Sequence, residues 1–235
     1  MENAFLRTLM TVQAKYGAGN FDPSPYVERI KSGDISEEQL KQELGGRIGD
    51  FNAVRNAATG AGYAIPDKKQ VGLFRGLGPA TNIVPKMYAL NDSLTANPVA
   101  TRTPFTNAYA TTDRLSNEIN EGLLSVQPQI SQNTRLSDPR INRLVSAYGI
   151  TKGVTNTSQS RAQAIGDYQD LLNDIFDANT KGMSDEQRLH IKQGLNLPPR
   201  RGEIQTDPDT KVKHKYVGGN PADPRSWQEV QQGGK

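Results

Sequence analysis

Apolar positions recur at helical spacing over most of this chain, and a two-residue alternation appears only near its C-terminus. Phe5, Leu6, Leu9, Met10 and Val12 fall mostly on one face of a helix expected over 2–16, which Gly17 and Gly19 end. Ser24-Pro25 opens a short helix through Lys31 with Tyr26, Val27 and Ile30 inward, proline being suited to the first turn. Ser36 followed by Gln39 is a capping-box pattern. The stripe that follows, Leu40, Leu44, Ile48, Phe51 and Val54, reads as one helical face. Gly45, Gly46 and Gly49 interrupt it and signal either a break or a close approach by another helix.

Residues 60–112 are dense in Gly, Pro, Thr and Asn and read as an extended irregular segment, with a short helix only over 85–94. Ile65, Phe74, Ile83, Met87, Tyr88, Phe105 and Tyr109 would anchor that segment to other surfaces. Asp113 then caps a helix to about Val126 with Leu115, Ile119, Leu123 and Leu124 aligned, stopped by Pro128. Asp138-Pro139 opens another with Ile141, Leu144, Val145 and Tyr148, closed by Gly149. Ser158 caps a long helix to about Asn179 whose stripe is Ala162, Ile165, Tyr168, Leu171 or Leu172, Ile175 and Phe176. Ser184 with Gln187 is a second capping box, starting a helix with Leu189 and Ile191 that Gly194 ends. The short polar connections favour antiparallel packing of these helices.

Beyond the stiff Pro198-Pro199 pair the period changes. Residues 203–206 and 211–217 read as two strands joined by the turn Asp207-Pro208-Asp209-Thr210. Gly218-Gly219 breaks the second strand, and Asp223-Pro224 reads as N-cap and first residue of one helical turn carrying Trp227 beside Tyr216. The expected fold is mainly α: an elongated helical protein with a long irregular middle segment and a small C-terminal β-hairpin. Four parts follow: N-terminal helices over 1–59, the extended segment over 60–112, a helical bundle over 113–197 and the hairpin module over 198–235.

Composition tempers this picture. Only 34% of residues are apolar, and there are 22 glycines and 14 prolines. Such a chain is expected to be articulated and to gain stability from neighbours. It has no cysteine, which excludes disulfides and thiolate metal sites, and only His190 and His214, which exclude a histidine-rich one. No metal and no cofactor are expected. Arg7 and Lys15 interrupt the N-terminal stripe, and no apolar run reaches the roughly 20 residues that span a bilayer. The chain is expected to be made in the cytosol, with membrane contact only through the N-terminal arm.

Catalytic signatures are missing from the pattern. The glycines at 45–49 and 72–78 follow no strand and lack the Lys-Ser/Thr of a phosphate loop. Glu37-Glu38 and Asp185-Glu186 sit in helix first turns, where they complement the dipole, and Glu118 and Glu121 share an exposed face. No catalytic residue, no enzymatic activity and no small-molecule substrate are expected. The net charge of +3 is too small to argue for nucleic acid by itself. A local basic cluster remains: Arg200, Arg201, Lys211, Lys213, His214 and Lys215. Lys211, Lys213 and Lys215 alternate, so they would share one face of an edge strand guarded by lysine, or contact phosphates.

The segment Tyr216-Val217-Gly218-Gly219-Asn220-Pro221-Ala222-Asp223-Pro224-Arg225-Ser226-Trp227 resembles a short tail in virion proteins of tailed bacteriophages, where a strand runs into Gly-Gly-Asp/Asn-Pro and then a Trp. The helical remainder, rich in Gly, Asn, Gln and Thr, is similar in composition to phage structural or internal, ejected proteins. This resemblance implies a non-enzymatic component of a virion, internal or at the head-to-tail junction or tail. It would assemble in multiple copies with other virion proteins, as a homo-oligomer, with Phe5, Tyr216 and Trp227 as aromatic anchors. The alternative is a nucleic-acid-binding accessory protein that contacts DNA through Arg200, Arg201, Lys211, Lys213 and Lys215.

Overall fold

The computed structural model describes residues 21–131, 158–207 and 209–230. The protein is mainly helical, with a small three-stranded antiparallel sheet near the C-terminus. The described residues divide into two compact units: one gathers 21–78 with Phe176–Asn196, the other 79–131 and 158–175 with 197–207 and 209–230. The helix expected over 2–16, with Phe5, and the one expected at 139–148 lie outside the described residues.

In the first unit, α1 (Ser24–Lys31) buries Val27 and Ile30 and carries proline in its first turn. α2 (Glu37–Glu43) starts at a complete capping box: Ser36 Oγ accepts from Gln39 N, and Ser36 N donates to Gln39 Oε1. The stripe expected to form one helix is two. Gly45 and Gly46 adopt φ of +57° and +78°, and α3 (Ile48–Gly60) begins afterwards in a new phase. The interruption therefore turns Ile48 outward, where it is 74% exposed, while Leu40, Leu44 and Val54 remain in the core. A Cβ at Gly45, Gly46 or Gly49 would meet nothing within 4 Å, so none of the three marks a close helix approach; Gly45 and Gly46, at positive φ, make the break. Ile35, Ala53, Ala57, Ala58 and Tyr63 complete the core cluster.

The segment 60–112 is not extended. It contains α4 (Lys68–Asn82), α5 (Val84–Ala96), a 3₁₀ turn at Ala100–Arg102 and the start of α6 (Asn107–Ser131). α4 tolerates Gly72, Gly76, Gly78 and the internal Pro79 because Val71, Leu73, Phe74, Leu77 and Ala80 are buried. Burial of that face outweighs about 1 kcal/mol of propensity lost per glycine. Asp67 and Gln70 exchange backbone-to-side-chain bonds at its start, an acidic version of the Ser36 box. Of the apolar residues expected as anchors here, Phe74, Ile83, Met87 and Tyr88 are core.

In the second unit α6 starts earlier than Asp113 and continues through Pro128. Thr106 Oγ1 accepts from Tyr109 N at its beginning. Gly122 admits Ile83, whose side-chain carbons would lie 3.1 Å from an added Cβ. α7 (Ser158–Asn179) has the expected bounds, with Ile165, Tyr168, Leu171 and Leu172 buried, but Ala162 is exposed and Arg161 is buried instead. Arg161 Nε donates to Asn91 Oδ1 at 2.9 Å, and Tyr168 OH donates to Ala80 O at 3.3 Å. α8 (Asp185–Gly194) belongs to the first unit. It buries Ile191 and leaves Leu189 exposed.

The C-terminal sheet has the order β1 (Ile204–Thr206), β2 (Lys213–Tyr216), β3 (Trp227–Glu229). It is a three-stranded sheet and not a hairpin, because Trp227 ends a 3₁₀ turn (Pro224–Ser226) and begins a strand opposite Tyr216. Asp223 caps that turn by accepting from Arg225 N at 2.9 Å. β2, the lysine-bearing strand, is therefore central and not an edge.

Candidate interaction site

Tyr216 and Trp227 hold the module together from within. Their ring centroids lie 5.2 Å apart, Trp227 Nε1 donates to Pro221 O at 2.8 Å, and Tyr216 OH donates to Gly219 O. Tyr216 is 2% exposed and burial raises its phenol pKa. Gly218 and Gly219 take φ of +106° and +104°, the backbone reversal that brings Gly219 O to the Tyr216 hydroxyl. Asp207 shapes the other end: its carboxylate accepts from Asp209 N and Thr210 N, both at 2.8 Å. Those backbone donors, Thr210 first, hold its pKa below the usual carboxylate value. The Arg225 side chain and then its backbone N–H do the same for Asp223.

The basic residues are dispersed. Arg200 pairs with Asp174 at 2.9 Å, and Arg201 Nε donates to Val217 O at 2.9 Å. Lys211 is not on the strand; it sits in the β1–β2 loop with φ +59°. Lys213 and Lys215 share the exposed sheet face, opposite Thr206 and Ile204 of β1. His214, half-buried, occupies the other face with Tyr216. Among the described residues no group of three or more His, Cys, Asp or Glu is placed to hold a metal.

One side of α7 lines a cleft of about 440 Å³. Gln163, Gly166, Gln169 and Asp170 form one wall, and Pro199, Arg201 and Gly218–Gly219 the other. Gln169 is 3% exposed, its Oε1 accepts from Tyr88 OH at 3.1 Å, and its Nε2 has no partner. Desolvation raises the Asp170 pKa; Asp174 and Asp167 add to this, and Arg200 and Arg201 oppose it.

Elsewhere in the second unit, Phe105 stands at φ +69° with its side chain fully exposed, and Val99 is 77% exposed. Phe105 and half-buried Tyr109 border a shallow depression of about 780 Å³ that Arg114 and Glu118 also line. Phe105 was expected as a surface anchor of an extended segment; it sits just ahead of α6. Gln169 and Gly166 carried no motif. The one signal in the sequence was a glycine in the middle of a strong helical stripe. Comparisons with protein-family models, with curated proteins and with solved structures return no match.

Proposed function

We propose that this chain is a non-enzymatic structural component of a tailed-phage virion that assembles in multiple copies through an aromatic surface centred on Phe105. One observation carries the assembly part. A bulky residue at positive φ is a backbone outlier costing of the order of 1–2 kcal/mol, and Phe105 gains no intramolecular burial in return. Aromatic side chains dominate interface energetics, so a neighbouring copy is the occupant that would recover this strain. The virion assignment rests on the Tyr216–Trp227 segment and on composition. Tyr216 and Trp227 are engaged inside the module, so Phe105 replaces them as the expected anchor.

Glycine at 105 relieves the strain and removes the anchor. Phe105→Gly should stabilise the isolated chain by about 1 kcal/mol and weaken self-association by about 2 kcal/mol, roughly thirtyfold in Kd. Urea unfolding and light-scattering mass measure the two effects, and mass measurement on purified particles tests incorporation. A wild-type chain that stays monomeric and is missing from particles ends this reading.

A second reading has one observation in its favour. Lys213 and Lys215 lie on a central strand, so they do not serve to protect an edge, and an exposed basic face is left over for phosphates.

A further inference from the structure

The depression beside Phe105 carries a charge pattern of its own. Its floor is the outward face of α6, where Ala110, Arg114, Asn117 and Glu121 follow one another at intervals of four, three and four and are all exposed. Thr112, Ser116 and Ile119, on the opposite side of the helix, are buried. The outward stripe has the spacing of a helix-packing seam, yet it stands open. In sequence it continues through Leu124 and Pro128, both apolar.

The two charges on the stripe are opposite and seven residues apart, about 10 Å along the helix axis, so they cannot pair within one chain. Arg114 reaches Glu118 only at 4.0 Å, and Glu118 is held more closely by Lys86 at 2.7 Å. Glu121 makes no ion pair among the described residues. A second α6 laid end for end against the first brings Arg114 opposite Glu121 twice, about a two-fold axis between positions 117 and 118. A parallel copy in register would instead set Arg114 against Arg114 and Glu121 against Glu121. The antiparallel axis also leaves each Phe105 about 19 Å from the centre, level with the final turn of the other α6, where the stripe ends. Exposed ion pairs add little to affinity. The aromatic contact therefore supplies the strength, and the charges select the arrangement by penalising those that oppose like signs.

We infer that the Phe105 surface pairs with a second copy of this chain through antiparallel contact of the two α6 helices, Arg114 of each meeting Glu121 of the other. This rests on the Phe105 reading above and adds to it the surface and symmetry of the partner. A two-fold contact uses the same patch on both copies and closes at two, so the pair is the unit from which any larger assembly is built.

The test uses the full chain and two charge reversals, Arg114→Glu and Glu121→Arg, with light-scattering mass over a concentration series at about 0.05 M salt, where screening is weak. Wild type should plateau at two chains. Each variant alone should lose about fivefold in dimer affinity, because two attractive contacts become repulsive. An equimolar mixture of the two variants should recover to within about twofold of wild type, since every charge on the stripe then faces its opposite. Native mass spectrometry should find the recovered species to be the mixed pair. Urea midpoints should stay close to wild type, as both sites are exposed. Single variants that associate as wild type does, a mixture as weak as either variant alone, or a mass that climbs past two chains without a plateau overturns the inference and leaves the Phe105 reading standing. Failure of that reading shows separately: Phe105→Gly then associates as wild type does, or the wild-type chain stays monomeric, and the antiparallel pair falls with it.

Discussion

A glutamine three residues after a Ser or Asp occurs at the start of three helices here, and the three side chains do not do the same thing. Gln39 and Gln70 reach back to the N-cap backbone and complete a capping box. Gln187 does not. Ser184 Oγ still accepts from Gln187 N at 3.3 Å, but the Gln187 side chain is buried. It donates to Ile30 O at 3.0 Å and Ala64 O at 2.8 Å and accepts from Ala64 N at 2.9 Å. It thus fastens α8 to α1 and to the turn after α3, within the first unit. Gln187→Leu would leave those backbone groups unsatisfied in the interior. It should cost about 3 kcal/mol or more in urea unfolding, whereas Ser184→Ala, which removes only a cap, should cost about 1 kcal/mol. Equal losses would mean that Gln187 acts as an ordinary cap. The local pattern is the same at all three positions; the difference is whether a neighbouring backbone offers better partners than the helix's own first turn.

At the scale of elements, the C-terminal sheet is held by one aromatic pair and by two aspartates that organise its loops. Strands of three and four residues bury little, so the loops matter. Asp207 and Asp223 both have folded pKa values below the unfolded value of about 3.9. Their contribution is fully present above that unfolded value and is lost as pH falls through the folded values. The module should therefore loosen below about pH 4. Trp227 is the only tryptophan and lies inside it, so its fluorescence reports on the module alone. Its emission should shift to the red on acidification, and Asp207→Asn, which keeps the acceptor oxygen without titrating, should flatten the response. An acid transition unchanged in that variant would assign it to other carboxylates. The same sheet shows how one misread element alters its neighbours. Reading Trp227 as helical made the lysine strand an edge, and placing Trp227 on β3 makes it central.

For the whole molecule, the two readings of function separate by their dependence on salt. Basic and acidic residues nearly balance at 28 and 25, so no strong overall field favours DNA. Association through Phe105 and Val99 is apolar, and its Kd should change less than about threefold between ~0.1 and ~1 M salt. DNA contact through Arg201, Lys213 and Lys215 neutralises about three phosphates and should show a log–log salt slope of about −3. Light scattering and a DNA-binding titration on one preparation give both numbers. Salt-independent self-association without DNA binding supports the assembly reading, and the reverse supports the basic face.

The sequence alone determined the helical class, the bounds of α1 and α7, the Ser36 box, the Gly-Gly reversal and the Asp223-Pro224 cap. These depend on local chemistry: where a cap accepts, where φ is fixed and where an apolar stripe repeats. Tertiary structure decided what local chemistry opposed or left open. Burial of Leu73, Phe74, Leu77 and Ala80 makes α4 a helix through glycines and Pro79, against its propensity. Strand pairing, a nonlocal contact, moved Trp227 into the sheet and Lys213 and Lys215 off an edge. The aromatic side chains of the Tyr216–Trp227 segment turn inward to hold the module, whereas Phe105 stands exposed. The cleft exists only because residues far apart in sequence, Gly166 and Gln169 on one side and Arg201 and Gly219 on the other, are brought together by the fold.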